Sequence, residues 1–290
     1  MYPTGLEFKN SSGTFSLSVK KSLGHYNMSG NHFHHYYEVY YLYAGQRHYF
    51  IKDRTFPVQK GDLIFIGPYD LHKTSDAGVP DHERFLLYFT RDFLLPSSQS
   101  AGVLNLLFQS GNPVLTLSLP GRAMVEELLQ KMAQETVQKN TGFEMALQSY
   151  VFQLLILAAR FKEQYRTDSF RHLSPVHRKI SEIVQYINGH YQEDLTLAVL
   201  ADHFYISPFY LSRIFKEATG FTFIEYLNSV RIKEAQKLLK DTRWKVITVA
   251  EKVGFGNIAH FGRVFKSLTG QTPLQYRKRG SGDGTGGHLL

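Results

Sequence analysis

From Phe15 to about Phe89, apolar and aromatic positions come in short dense runs broken by turn residues. The breaks are Ser29-Gly30-Asn31, Ala44-Gly45-Gln46, Lys52-Asp53, Lys60-Gly61-Asp62 and Gly67-Pro68. Regularly spaced short runs of this kind predict strands closed into a sandwich or barrel. From Leu119 the period lengthens. Pro120 to Lys139 reads as an amphipathic helix with proline at its start, Thr141-Gly142 breaks it, and a second helix runs to about Tyr165. In that second helix Leu147, Val151, Leu154, Leu155, Ala158 and Phe161 share one side, while Tyr150, Phe152, Ile156 and Leu157 spread onto others. Such a helix needs cover on more than one side: the barrel on one, and a partner subunit or the same chain on another. Arg166 to Pro175 is polar, lacks a period and reads as a linker. Val176 to Tyr191 is helical again, and Phe223 to Lys240 is one long helix.

The last third of the chain repeats itself. Arg213, Phe215, Lys216, Thr219, Gly220, Thr222 and Tyr226 return fifty residues later as Arg263, Phe265, Lys266, Thr269, Gly270, Thr272 and Tyr276. Each copy pairs two short helical patterns across a turn. In the first, Leu195 to about Phe204 supports a helix that starts with Ser207 as N-cap and Pro208 at its first position. Leu211, Ile214 and Phe215 point inward, leaving Phe209, Tyr210, Ser212, Arg213 and Lys216 outside. In the second, the turn is one residue longer and holds Gly254 and Gly256. The helix from about Asn257 buries Phe261, Val264 and Phe265 and exposes Ile258, Ala259, His260, Gly262 and Arg263. A duplicated helix-turn-helix predicts two contacts with double-stranded DNA from one chain, at major grooves about 34 Å apart. Arg213 suits a bidentate contact to guanine, Phe209 a thymine methyl and Lys216 a phosphate. The second face is poorer in hydrogen-bonding groups, and Gly262 costs its helix about 1 kcal/mol relative to alanine.

Charge agrees with that division. The net charge is +8; from Ser174 onward there are 16 Lys and Arg against 10 Asp and Glu, and before it 17 against 15. The excess therefore lies with the repeat, where phosphates would meet it. At 290 residues, 43% hydrophobic and 20% charged, the chain has the size and make-up of one or two globular domains. With no cysteine there is no disulfide framework and no thiolate metal site. The N-terminus lacks the apolar core of a signal peptide, and the longest apolar run, Val151 to Ala159, is too short to span a bilayer. A cytoplasmic protein without membrane contact is expected.

The strand region carries a second pattern. His32, His34 and Glu38 are followed by Gly45, and Gly61-Asp62 leads through Pro68 to His72. Residues two apart in a strand share a face. His32, His34, Glu38 and Tyr40 can therefore look into one cavity, with His72 arriving from another strand. Three imidazoles and a carboxylate suit a divalent metal. The spacing resembles the cupin barrel, whose two motifs hold metal ligands at these places, although Asp70 stands where cupins often have glycine. Barrels attached to DNA-binding domains resemble sensors that mostly work without metal. The expectation is accordingly no metal and no cofactor, with these four as the residues a metal would use. The density of Tyr36, Tyr37, Tyr40, Tyr41, Tyr43 and Tyr49 suits a sugar or another small polar molecule.

Ala250, Gly254-Phe255, Phe261, Phe265-Lys266, Gly270, Thr272-Pro273 and Tyr276-Arg277 are similar to the signature of AraC/XylS regulators. The resemblance covers about Val176 to Lys278. It implies an α+β two-domain protein: a cupin-like β-barrel with a helical extension for ligand binding and dimerisation (1–165) and an all-α double helix-turn-helix domain (176–279), to which composition adds the linker (166–175) and a disordered Gly-rich tail (280–290). Its base-contacting places fall on Phe209, Ser212 and Arg213, and on Ile258, Ala259, His260, Gly262 and Arg263. The implied function is non-enzymatic: a homodimeric transcriptional activator that binds promoter DNA, answers a small-molecule effector such as a sugar and meets RNA polymerase. Two rivals remain: a metal-dependent cupin enzyme with a DNA-binding appendage, and a constitutive DNA-binding protein with a non-sensing barrel.

Overall fold

A computed structural model describes residues 5–28, 34–94, 98–109, 111–164 and 175–280. The chain divides into two units, Met1–Leu173 and Ser174–Leu290. His32, residues 166–174 of the expected linker and the tail from 281 lie outside the described residues.

The first unit is two antiparallel sheets and a helical layer. Its strands are β1 (Leu6–Lys9), β2 (Phe15–Ser22), β3 (Tyr37–Ala44), β4 (Gln46–Ile51), β5 (Arg54–Gln59), β6 (Asp62–Ile66), β7 (His72–Asp76) and β8 (His82–Phe89), followed by helix α1 (Ser98–Leu104) and strand β9 (Val114–Thr116). The larger sheet has the order β1-β2-β8-β3-β6-β9 and the smaller β5-β4-β7. The barrel is thus a two-sheet structure without one continuous ladder. Strands β1 and β9 escape the sequence reading because each is short and lies outside the aromatic-rich region; β9 simply extends the edge of β6.

Alternation explains the layers. On β3, Val39 and Tyr41 face one way with Phe15, Leu17, Leu63, Phe65, Phe85 and Leu87, and pack on helices α2 (Leu119–Gln138) and α3 (Phe143–Gln164). Ser118 caps α2 through its side chain, with proline just inside. Tyr41 ties the layers together by donating to Glu126 Oε1 at 2.6 Å. The opposite face of β3 carries Glu38, Tyr40 and Leu42. Tyr40 and Leu42 pack there with Tyr49, Ile51, Val58, Ile64, Ile66 and Leu86 between the sheets. Gly45 joins β3 to β4 at φ +89°, and a Cβ there would lie 2.5 Å from Asp81 O, so only glycine fits.

The second unit is all helical: α4 (Pro175–His190), α5 (Leu197–His203), α6 (Pro208–Thr219), α7 (Phe223–Asp241), α8 (Val246–Lys252), α9 (Ile258–Thr269) and α10 (Pro273–Gly280). Pro175 opens α4 rather than closing the linker, its missing N–H costing nothing at a first helical position. Helices α6 and α9 are both twelve residues long, capped by the side chains of Ser207 and Asn257 and ended by Gly220 and Gly270 in left-handed geometry. In the turn before them, Ile206 N reaches Ala201 O and Phe255 N reaches Ala250 O, both at 2.9 Å. The second turn is one residue longer. Its left-handed position is Gly254 at φ +88°, where a Cβ would come within 2.8 Å of Tyr191 O and Gln192 O. In the first turn the left-handed position is Tyr205, at φ 55°. Helix α7 lies between the two pairs in sequence and buries Phe223, Tyr226, Leu227, Ile232, Ala235 and Leu239. A capping box of Thr222 and Glu225 starts it. Val230, Leu238 and Val264, expected inside, are half-buried.

Candidate functional site

Glu38 is the focus of the barrel interior. Its strand parity turns it away from the helices, and it is 1% exposed. His34 Nε2 lies 3.0 Å and His72 Nε2 3.1 Å from Glu38 Oε2. Tyr49 donates its hydroxyl to Oε1 at 2.7 Å, and Tyr88 hydrogen-bonds the same carboxylate. Three strands and the segment before β3 thus converge on one group. Burial alone would raise the Glu38 carboxyl, but His72 and His34 outweigh it and hold it well below the usual carboxylate range. Burial likewise works against the His72 imidazolium, and Glu38 with the Asp70 carbonyl outweighs that, raising its pKa. Burial first and Glu38 second push the Tyr49 and Tyr88 phenols well above 10. These hydroxyls stay protonated and act as donors.

The anchoring of the two rings has a chemical consequence. His34 Nδ1 sits 3.1 Å from Tyr36 O and His72 Nδ1 2.7 Å from Asp70 O. A carbonyl only accepts, so Nδ1 carries a proton in each ring. An Nε2 that also donates to Glu38 therefore holds a second proton; otherwise the space between Nε2 and Oε2 suits a cation. His34, Glu38 and His72 offer ligand atoms within 4.8 Å of one another. Two imidazoles oriented by carbonyls plus a carboxylate fit a divalent transition metal.

The other end of the interior is cationic. Arg47 on β4 is 1% exposed. It donates from Nε to Thr74 Oγ1 at 3.2 Å and from Nη2 to Tyr26 O at 2.6 Å, and its guanidinium lies over the Tyr26 ring at 5.8 Å. His82 and Arg84 continue the inward parity of Leu86 and Tyr88 on β8. Burial, with Arg47 and Arg84 adding to it, pushes His82 down to about 4. Tyr40 lies between the two ends, wholly buried, its ring 5.2 Å from that of Tyr49.

In the helical unit, Phe209, Tyr210, Ser212, Arg213 and Lys216 all lie on the exposed face of α6. Phe209 is 81% exposed, with the exposed aromatics Tyr205 and Tyr210 near it in sequence. Arg213 stacks over Tyr210 at 5.5 Å and approaches Glu217 Oε1 at 3.8 Å. On α9, Ile258, Ala259, His260 and Arg263 are exposed and Gly262 is half-buried. His260 leans on Phe255, with ring centroids 5.6 Å apart.

The structure thus brings His34, Glu38, Tyr40 and His72 to one interior, while His32 lies outside the described residues. It places the nine expected DNA-facing residues on two equivalent helices. Arg47, His82 and Tyr88 were not among the expected site residues, and Tyr49 was expected only as one of six dense tyrosines. On β4 Gln46, Arg47 and His48 are polar in succession and Tyr49, Phe50 and Ile51 apolar in succession, so no alternation flags Arg47. On β8 the alternation was legible: His82, Arg84, Leu86 and Tyr88 sit two apart.

Comparison with known proteins agrees with this partition. Residues 24–155 match the AraC-like ligand binding domain, and residues 200–279 match a helix-turn-helix domain. The HTH-type transcriptional regulator YfiF of Bacillus subtilis is 26% identical over 257 residues, 87% of this chain and 80% of that protein. The HTH-type transcriptional activator RhaR of Enterobacter is 26% identical over 254 residues, 87% of this chain and 88% of that one. Among solved structures, ToxT from Vibrio cholerae is 14% identical, covering 93% of this chain and 99% of that one with a TM-score of 0.39. At that score the likeness says nothing about the site.

Proposed function

The chain belongs to the AraC family of transcriptional regulators, and on that premise we propose how its two units divide the work. The helical unit reads promoter DNA. The observation that carries this is the pair α6 and α9: equal length, equivalent caps and the same outward face at an offset of fifty residues. Helix α6 does most of the base reading, with Arg213 on guanine, Phe209 and Ser212 beside it and Lys216 on phosphate. Helix α9 reads through Arg263 and His260, with Ile258, Ala259 and Gly262 offering only close apolar approach. The barrel binds a small polar effector around Glu38, Tyr40, His34 and His72. Neutral sugars are one class to try. The effector changes transcription by preferring one arrangement of the protein on DNA.

We assign the chain the role of an activator that meets RNA polymerase at its promoter, since RhaR is named an activator, and no catalytic role. It acts as a homodimer. Met145 and Ile156 on α3, and Met124 and Val137 on α2, are exposed apolar residues that a second copy would cover. No helix among the described residues is long and apolar enough to cross a membrane.

The test is selection of sites from random duplexes by the full chain. Two half-motifs about 10 base pairs apart are expected. One half-motif alone would show that a single unit reads; no enrichment would defeat the assignment.

A second reading draws on the facing Nε2 atoms. His34, Glu38 and His72 would hold a divalent cation, which would supply a Lewis acid to polarise an oxygen of the bound molecule. Stoichiometric Fe, Mn or Zn in purified protein, lost in His34→Ala, would establish it; metal-free protein would end it.

A further inference from the structure

We propose that the barrel effector is a small organic acid, and that Arg47 with the Tyr40 hydroxyl forms the subsite for its carboxylate. The proposal rests on the reading of the barrel as the effector domain and narrows the class of effector.

Two independent features point to it. The first is Arg47. A guanidinium withdrawn from water is found paired with an anion, because an isolated buried charge is costly. Here it is 1% exposed, and its hydrogen bonds go to two neutral acceptors, Thr74 Oγ1 and Tyr26 O. They use two of its five N–H donors, and no carboxylate among the described residues lies within ion-pair distance of it. Asp76 stands directly across the ladder from Arg47. Its charge acts on Arg47 across that pair, but it makes no hydrogen bond to the guanidinium: it is bonded to His25 and accepts from Gly78 N at 2.7 Å. The donors left over suit the two oxygens of a carboxylate, the bidentate match that arginine makes and lysine does not.

The second feature is Tyr40. It is 0% exposed, and its hydroxyl has no hydrogen-bond partner among the described residues. Nearly all buried hydroxyls are bonded, so an unbonded one facing the interior calls for a partner that the described residues do not supply. The charges that act on that hydroxyl are those of Arg84, Arg47 and Glu38. It therefore lies in the field of two guanidiniums, where a carboxylate is the acceptor best stabilised. Glu38 closes the opposite end of the interior with its oxygens already satisfied. The acid's remaining polar groups, hydroxyls for example, would meet the cluster around Glu38 without a second negative charge beside it.

Ligand-induced thermal shift and calorimetry on the full chain test this. The probes are short mono- and dicarboxylates and sugar acids, each with its neutral methyl ester, together with neutral sugars and inorganic phosphate. At least one acid should stabilise the protein while its ester does not. For that acid, Tyr40→Phe should raise the Kd about tenfold and leave the unliganded fold intact. Arg47→Lys, which keeps the charge but loses the fork, should raise it by more, about a hundredfold. Binding of neutral sugars or esters alone overturns the acid proposal and leaves the effector reading standing. Binding of phosphate in preference to every acid also overturns it, as does an acid whose affinity neither substitution changes. If no compound of any class binds, both the proposal and the reading beneath it fall.

Discussion

The barrel and the helical unit handle charge in opposite ways. In the barrel, Glu38 and Arg47 are each 1% exposed and sit among aromatic rings. In the helical unit, the Arg213 side chain is 56% exposed, and its neighbour Glu217 is 62% exposed. A buried charge is coupled to folding, since its partners must be in place before water leaves. An exposed charge contributes little to folding and is available for a partner. The same residue types thus serve stability and enclosed recognition in one unit, and an external surface in the other.

The sharpest way to break this comparison is to remove one charge from each side. Glu38→Ala leaves two imidazoles and two phenols around a void, and should destabilise the barrel by about 3–5 kcal/mol. Arg213→Ala removes an exposed pair and should change stability by under about 1 kcal/mol. Urea unfolding of the full chain, followed at each transition, measures both. Comparable losses would mean that burial does not separate the two roles.

Acidity separates the units next, in metal-free protein. Glu38 titrates below its ordinary 4.5 in the folded chain, so its contribution is present above 4.5 and lost as the pH falls through the depressed value. His82 is held at about 4 against an ordinary 6.5, so the barrel also gains stability as the pH rises from about 4 to 6.5. His72 is raised above 6.5, so its contribution is full below 6.5 and lost as the pH rises through the folded value. Barrel stability should therefore peak near pH 6.5, and His72→Gln should flatten the alkaline side. The melting temperature of the barrel transition between pH 4 and 9 checks this. A monotonic profile would contradict the charge assignments at Glu38 and His72.

The two units also differed in how far they could be read in advance. The helical unit was legible almost residue by residue. A repeat at a fixed offset, Ser207-Pro208 at a helix start and Gly220 and Gly270 at helix ends are local signals, each with one structural meaning. In the barrel, strand parity was enough to place Glu38, Tyr40 and His72 in one interior. It did not reveal Arg47, because Gln46, Arg47 and His48 are polar in succession and Tyr49, Phe50 and Ile51 apolar in succession, so the sequence shows no period of two there. Nor did it show which hydroxyls would be satisfied. Tyr49 and Tyr40 look alike in sequence, yet Tyr49 bonds Glu38 and Tyr40 has no hydrogen-bond partner among the described residues, a difference decided by long-range packing between sheets. Tyr205 shows the limit on the helical side. Its left-handed φ follows from its equivalence to Gly254, which only the aligned turns make visible.

Within the helical unit, DNA binding sharpens the contrast between α6 and α9. Arg213→Ala should cost about 1–3 kcal/mol on the selected site and much less on random duplex, the pattern of a base contact. Arg263→Ala should cost less than Arg213→Ala, since its neighbours Ile258, Ala259 and Gly262 supply no further hydrogen bonds to hold it in register. Fluorescence anisotropy with both duplexes measures this. Equal losses from the two arginines would make α9 a full reader despite its apolar face.

Lys216 gives the smallest effect and the one that best separates positioning from reading. It lies two turns from the start of α6, exposed, near the end of the helix that faces away from the bases in a groove-inserted pose. A lysine there neutralises a phosphate and releases its counterion, a contribution independent of sequence. Lys216→Ala should weaken binding to the selected and the random duplex by the same factor. It should also reduce the slope of log K against log salt by about one. If the slope stayed constant while specificity fell, Lys216 would belong with Arg213 among the base-reading residues, and the reading surface of α6 would extend a full turn beyond its N-terminal half.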